Sequence, residues 1–273
     1  MVDTTTLGKV MTRETDVEVK ERVRQQFAGS GDAYVTSLLH ASGPDLARTV
    51  ELAAPRPGDR LLDIATGGGH VALAFAPLVA AVVASDLTPE MLAQAERFLA
   101  AHGIANASFR QADAEQLPFP DACFDIVTCR IAPHHFPHPE RFVAEVARVL
   151  KPEGRFLLED STVPEGDAGV FFNAFERGRD PSHVRSLTIG QWTDLLRASG
   201  FAVRAVETFR KRHDFAEWTA RSRLPAAERP RLAATMLAAS PELQTEFAVE
   251  RDGDRLIAFT DAKTLFLAVR SRT

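Results

Sequence analysis

Residues 60–72 read Arg-Leu-Leu-Asp-Ile-Ala-Thr-Gly-Gly-Gly-His-Val-Ala, an apolar run that breaks into three consecutive glycines before a helix-like pattern resumes. Without a Cβ, glycine at a strand-to-helix junction lets the backbone turn sharply and approach a ligand, and the next helix offers free N–H groups. Three glycines in a row are entropically costly, which is hard to justify in a bare turn. The turn formers Pro55-Arg56-Pro57-Gly58-Asp59 introduce the strand. This junction predicts an α/β fold.

The rhythm repeats. Short apolar runs at 60–65, 80–85, 107–111, 124–130 and 155–159 alternate with helical patterns, the mark of a parallel sheet covered on both faces. Thr88-Pro89-Glu90 supplies an N-cap, a proline at the first helical position and an acid in the first turn, and Gly103 stops that helix. Beyond Asp160 the pattern loosens into helices at 169–177 and 188–199, a strand at 201–209, charged helical sequence at 214–249 and a last strand at 264–269. The expected organisation is an N-terminal helical cap at 1–54, a core at 55–213, a helical lid insertion at 214–253 and the last strand of the core sheet at 254–273. The flanks 16–54 and 214–250 are expected to cover the site.

Composition excludes several classes. With 273 residues, 45% apolar and 25% charged, the chain has the make-up of a globular protein large enough for one α/β core plus a cap. Its net charge is −5 and no basic run exceeds Arg210-Lys211-Arg212, so nucleic acid is not an expected partner. The longest apolar stretch, near 78–84, is far short of the ~20 residues that span a bilayer. With a polar N-terminus, this predicts a cytoplasmic protein; a homodimer is left open. Cys123 and Cys129 form neither a disulfide framework nor a zinc pattern, and buried thiols are expected.

Asp86 ends the second strand, 17 residues after Gly69, where an acid can accept hydrogen bonds from both hydroxyls of a ribose. The loop alone also fits the G-x-G-x-x-A dinucleotide pattern through Ala72, leaving an NAD(P)-binding oxidoreductase as an alternative. Asp63 argues otherwise: it precedes the glycines, where it would meet the amino group of a zwitterion and repel a pyrophosphate. That suits S-adenosylmethionine (SAM). The third strand leads into Asp113-Ala114-Glu115-Gln116-Leu117-Pro118-Phe119, able to read an adenine edge, and the fourth ends in Arg130-Ile131-Ala132-Pro133-His134-His135, facing the reactive end.

Four ordered motifs carry a resemblance: Leu-Asp-Ile-Ala-Thr-Gly-Gly-Gly from 62, Ser-Asp-Leu-Thr-Pro-Glu-Met-Leu from 85, Asp-Ala-Glu-Gln-Leu-Pro-Phe from 113 and Glu-Val-Ala-Arg-Val-Leu-Lys-Pro-Glu-Gly from 145. Over about residues 57–160 the chain resembles class I SAM-dependent methyltransferases, most of all the ubiquinone/menaquinone-biosynthesis type. The resemblance implies a Rossmann-like, seven-stranded, mostly parallel sheet with an antiparallel last strand and helices on both faces. It implies a cofactor, SAM, and methyl transfer to oxygen or carbon of a small acceptor; a catalytically silent SAM-binding subunit is the other reading. It places Asp63, Gly67 and Gly68 at the methionine end, Asp86 and Leu87 at the ribose, Asp113 and Ala114 at the adenine, and Arg130 beside the sulfonium; Ala65, Gly69 and Met91 complete the expected cofactor contacts. Ala65 stands where many members have glycine, and Glu153 where the turn after Lys-Pro would have glycine.

On the acceptor side, His134 and His135 follow the fourth strand and His183 lies in the polar segment 179–185; each is a candidate general base. No metal site is expected, because adjacent histidines on an extended segment diverge. Phe171 and Phe175 share a helical face and are expected in the core. Eighteen Phe against one Tyr point to an apolar or aromatic acceptor.

Overall fold

The computed structural model describes residues 14–28 and 43–272. Stretches 1–13 and 29–42 of the expected N-terminal cap lie outside the described residues. Two helices, α1 (Asp16–Ala28) and α2 (Pro44–Ala53), precede the sheet. The core alternates β1 (Arg60–Ile64), α3 (His70–Phe75), β2 (Ala81–Asp86), α4 (Pro89–Ala101), β3 (Ala107–Gln111), β4 (Phe124–Arg130), α5 (Pro139–Val149) and β5 (Leu150–Thr162). Then follow α6 (Asp167–Arg179), α7 (Ile189–Ala198) and β6 (Phe201–Asp214). The insertion holds α8 (Phe215–Arg221), α9 (Arg229–Leu237), α10 (Pro241–Glu246) and β7 (Glu250–Asp252), and β8 (Arg255–Arg270) closes the chain.

The sheet order is β3-β2-β1-β4-β5-β8-β6, with β1 to β5 parallel and β8 running antiparallel between β5 and β6. The expected seven-stranded sheet with an antiparallel last strand is therefore present, extended by β7, a short strand that folds back on the start of β8. Strands β6 and β8 are longer than their apolar stretches predicted, pairing from Phe201–Arg270 to Asp214–Ala258. On edge strand β6, half-buried and exposed residues alternate, so its solvent-facing polar residues hid its extent. Thr88 sits before α4 as expected, yet its side chain caps nothing; its backbone N–H donates to Asp86 instead.

Two apolar layers sandwich the sheet. One contains Phe124, Phe142, Val146, Phe156 and Trp192; the other Leu61, Val71, Phe75, Val82 and Leu99. A third cluster, outside the sandwich, joins Phe172 and Phe175 of α6 to Phe215, Trp218, Met236, Phe247 and Phe259, so Phe175 is core as its spacing predicted. Thus the 214–253 insertion has its own packed interior against α6 and β8. Cys129 is fully buried and Cys123 half-buried, both unpaired. Among the described residues no helix is long and apolar enough to cross a membrane.

Strand order reverses between β1 and β4, since the chain builds outward through β2 and β3 and then crosses back. Loops after these two strands diverge to opposite faces, which opens a crevice at their carboxyl ends.

Candidate active site

That crevice holds a cavity of about 1110 Å³, part of it open to solvent. Loops after β1, β2, β3 and β4 line it, together with Met91 of α4 and Lys20, Val23 and Phe27 of α1. The backbone is strained where the central strands end: Ala65 and Ile131, neither a glycine, have φ of 53° and 54°. The three glycines divide their work. Gly67 (φ 53°) and Gly68 line the cavity, and the Gly67 N–H donates to Asp86 Oδ2 at 3.0 Å. Gly69 does not line it; at φ 86°, a Cβ there would sit 2.7 Å from Leu99 Cδ1 and 3.2 Å from the Ala95 Cβ. Gly69, expected as a cofactor contact, is absent from the cavity lining, and its missing Cβ lets α3 pack against α4.

Two acids lie at the floor. Asp63 is 1% exposed, and its two oxygens accept from Thr66 Oγ1 at 2.6 Å and Thr128 Oγ1 at 2.8 Å. Burial pushes its carboxyl up to about 6, against those hydroxyls, and the nearby Asp86 adds to the rise. Asp86 accepts from Gly67 and Thr88 N–H groups through separate oxygens, which fixes the carboxylate and leaves further lone pairs for a ligand. Burial raises it too. Two carboxylates held above their ordinary range in one cavity suit a cationic, hydroxyl-bearing ligand, which would relieve both. Leu87, Met91 and Ala114 line the same cavity.

At its other end Asp113 Oδ1 accepts from the Glu115 N–H, and Lys20 Nζ reaches both Asp113 and Glu115 at 2.7 Å. Asp16 of α1 also pairs with His138 at 2.9 Å. Sequence reasoning missed Lys20, Val23 and Phe27 as site residues, although their helical spacing was a readable signal. No residue of 214–253 lines the cavity, so among the described residues of the two expected covers only those of α1 border it.

Arg130 lines the cavity but is not a bare cation. Its guanidinium donates to Asp45 and, at 2.8 Å, to Glu159, while Lys211 reaches Asp45 at 2.7 Å. Burial lifts Glu159 to about 7. Burial would also raise Asp45, but hydrogen bonding with Glu159 and the charges of Arg130 and Lys211 hold it far below the usual carboxylate range. Asp45, which Arg130 shares with Lys211, and Glu159 in its ionised form pair with the charge Arg130 brings to the cavity.

The two polar segments that seemed separate in sequence form one wall. Pro133–His135 is a 3₁₀ turn, and the His134 carbonyl accepts from the Val184 and Arg185 N–H groups at 2.9 and 3.0 Å. Ring centroids lie 4.2 Å apart for His134–His135 and 5.5 Å for His134–His183. Of the three, only His135 lines the cavity, and its ring meets the Phe27 ring edge-on at 5.2 Å. His134 Nδ1 is 2.6 Å from Asp160 Oδ1. Burial drives the His134 ring well below its ordinary range and lifts Asp160 to about 7. His183 donates through Nε2 to Asn173 Oδ1 at 2.9 Å, and burial, with two neighbouring histidines, lowers it to about 2. Among the described residues no group of His, Cys, Asp or Glu could hold a metal ion.

A parallel sheet with a strained, glycine-bearing first loop, a buried acid at the end of β2 and a cavity at the switch point is the architecture of the Rossmann-like class. Residues 62–158 match a family model described as a methyltransferase domain. An uncharacterised methyltransferase of Bacillus subtilis, YcgJ, is 38% identical over 224 residues, 82% of this chain and 88% of its own length. A crystal structure from Bacillus halodurans C-125, described as a methyltransferase, superposes with a TM-score of 0.82 at 40% identity, covering 84% of this chain and all of that one. The ubiquinone/menaquinone biosynthesis C-methyltransferase of Ectopseudomonas mendocina is 42% identical over 120 residues, 42% of this chain and 47% of that protein. The chain belongs to the methyltransferase family that includes YcgJ.

Proposed function

We propose that this methyltransferase uses SAM to methylate a small aromatic or apolar acceptor at oxygen or an acidic carbon, with His135 as the base. One observation carries this reading: His135 shares a single cavity with the acid-lined cradle formed by Asp63, Gly67, Gly68 and Asp86. In that cradle Asp86 would hold the ribose hydroxyls, Asp113 and the Ala114 backbone the adenine edge, and the Asp63–Gly68 loop the amino-acid end. When bound, SAM supplies a methyl group on a sulfonium, which departs as a neutral thioether when the methyl is attacked in line.

The protein's own task is to orient the acceptor, exclude water and take its proton. Phe27, Ile131, Ala132, Phe136 and Pro137 give the cavity beside His135 an apolar wall suited to a flat ring. As the acceptor's O–H or C–H proton passes to His135 Nε2, the freed electron pair becomes the nucleophile. Arg130, paired with Asp45 and Glu159, repels a cationic ligand less than a bare guanidinium would.

Incubation with SAM and a library of phenols, quinols and amines, read by product mass spectrometry, tests the proposal. The expected result is a one-methylene mass gain in a phenol or quinol; methylation confined to amines would overturn the acceptor class.

A further inference from the structure

His135 reaches the cavity on one side and is held from behind on the other. Its Nδ1 lies 3.0 Å from the Ser182 carbonyl oxygen, an acceptor only, so Nδ1 carries a hydrogen and donates it. Ser182 Oγ is also 3.2 Å from Nδ1, but its own hydrogen is committed elsewhere: it donates to Asp180 Oδ1 at 2.6 Å. Oγ therefore receives the ring N–H and cannot donate to it. Asp180 Oδ1 additionally accepts from the Ser182 N–H at 2.9 Å, which pins the residue whose carbonyl holds the ring.

We infer that Asp180, acting through Ser182, is a positioning residue that holds His135 as its Nδ1–H tautomer and so keeps the Nε2 lone pair for the acceptor's proton. This rests on the reading of His135 as the base, but the tautomer is a separate, measurable property. All three groups are buried, where a fixed hydrogen-bond partner decides which ring nitrogen carries the proton. Burial would raise Asp180, but the Arg179 charge and the two hydrogen bonds from Ser182 hold its carboxyl below the ordinary range, ionised and an acceptor. Without that acceptor Ser182 is no longer pinned: its carbonyl can draw away from Nδ1 and its hydroxyl turn to donate there, moving the ring hydrogen to Nε2 and blocking the base.

The experiment is nitrogen NMR of the full chain carrying ¹⁵N-histidine, with His135 identified by its missing signals in His135→Gln. The parent is expected to show Nδ1–H. Asp180→Ala should shift the ring toward Nε2–H, Asp180→Asn, which keeps an acceptor oxygen, should retain Nδ1–H, and the double variant Asp180→Ala/Ser182→Ala should restore it. Single-turnover methylation should fall by about tenfold or more in Asp180→Ala, with affinity for S-adenosylhomocysteine unchanged. A parent ring protonated at Nε2, or an Asp180→Ala spectrum identical to the parent's, overturns the inference; the parent measurement needs no variant to fold. His135→Gln reports separately on the base: full activity there would sink the base reading and leave the tautomer result standing.

Discussion

Lys20 Nζ lies 2.7 Å from Asp113 and 2.7 Å from Glu115, tying the first described helix across the end of the cavity where an adenine edge would rest. Such a tie should slow ligand escape. Because Lys20 remains partly exposed, its pairs are screened, and Lys20→Ala should speed S-adenosylhomocysteine dissociation only roughly two- to fivefold. Stopped-flow release reads this directly. In parallel, amide exchange in 16–28 should slow when that ligand is added to the parent, and slow less in the variant.

Asp86 anchors both the Gly67 and Thr88 N–H groups and is the expected ribose acceptor. Asp86→Ala should weaken SAM binding by roughly 2 to 3 kcal/mol, since charge-assisted hydrogen bonds are lost. A calorimetric affinity within a factor of two of the parent would show that the ribose lies elsewhere.

Gly67 and Gly69 should separate binding from stability. At Gly69 a Cβ would collide with Leu99 and Ala95, so Gly69→Ala should lower unfolding free energy by about 1–3 kcal/mol. At Gly67 the nearest atom to a Cβ is Met91 Cε at 3.7 Å, so Gly67→Ala meets no collision, costs only the roughly 1–2 kcal/mol strain of a Cβ at φ 53°, and should in addition lower cofactor affinity, which Gly69→Ala should not. Chemical denaturation and calorimetry on both variants would reveal a reversed pattern, if there is one.

Asp160 predicts a pH dependence of stability. Its carboxyl is raised from an ordinary 3.8 to about 7, chiefly by burial, so the folded state keeps a proton that the unfolded chain releases. That contribution is fully present below 3.8 and is lost as pH rises through about 7. Asp160→Asn removes the dependence while keeping an acceptor for His134. Relative to the parent, the variant should gain on the order of 2 kcal/mol between pH 5 and pH 8. Urea denaturation of both proteins at the two pH values checks the sign; a constant difference would mean that Asp160 is not a raised acid.

The fold was legible where the signal is local. Leu61, Leu62 and Ile64 between turn formers and glycines mark β1, and the runs for β2 and β4 carry the same stamp, because strands buried on both faces are apolar nearly throughout, whereas edge strand β3 mixes half-buried and exposed residues. What could not be read is the insertion of β8 between β5 and β6: it depends on pairings such as Glu159 with Leu265 and Glu207 with Leu265, over long sequence separations. The same holds for the site. Asp63 and Asp86 announce themselves by following apolar runs, and Asp113 by the motif it opens, whereas the pairing of Arg130 with Asp45 and the docking of Ser182 behind His135 join segments 85 and 47 residues apart. Gly69 shows the converse limit: its type and place fit a ligand loop, but the atoms its absent Cβ would meet belong to α4.

The central claim is that the acid-lined crevice is built for SAM and not for a dinucleotide. Titration calorimetry of the full chain with S-adenosylhomocysteine and, separately, NAD tests it most directly. One-to-one binding of S-adenosylhomocysteine at micromolar strength and no measurable heat with NAD are expected. Saturable NAD binding with no response to S-adenosylhomocysteine would contradict the claim.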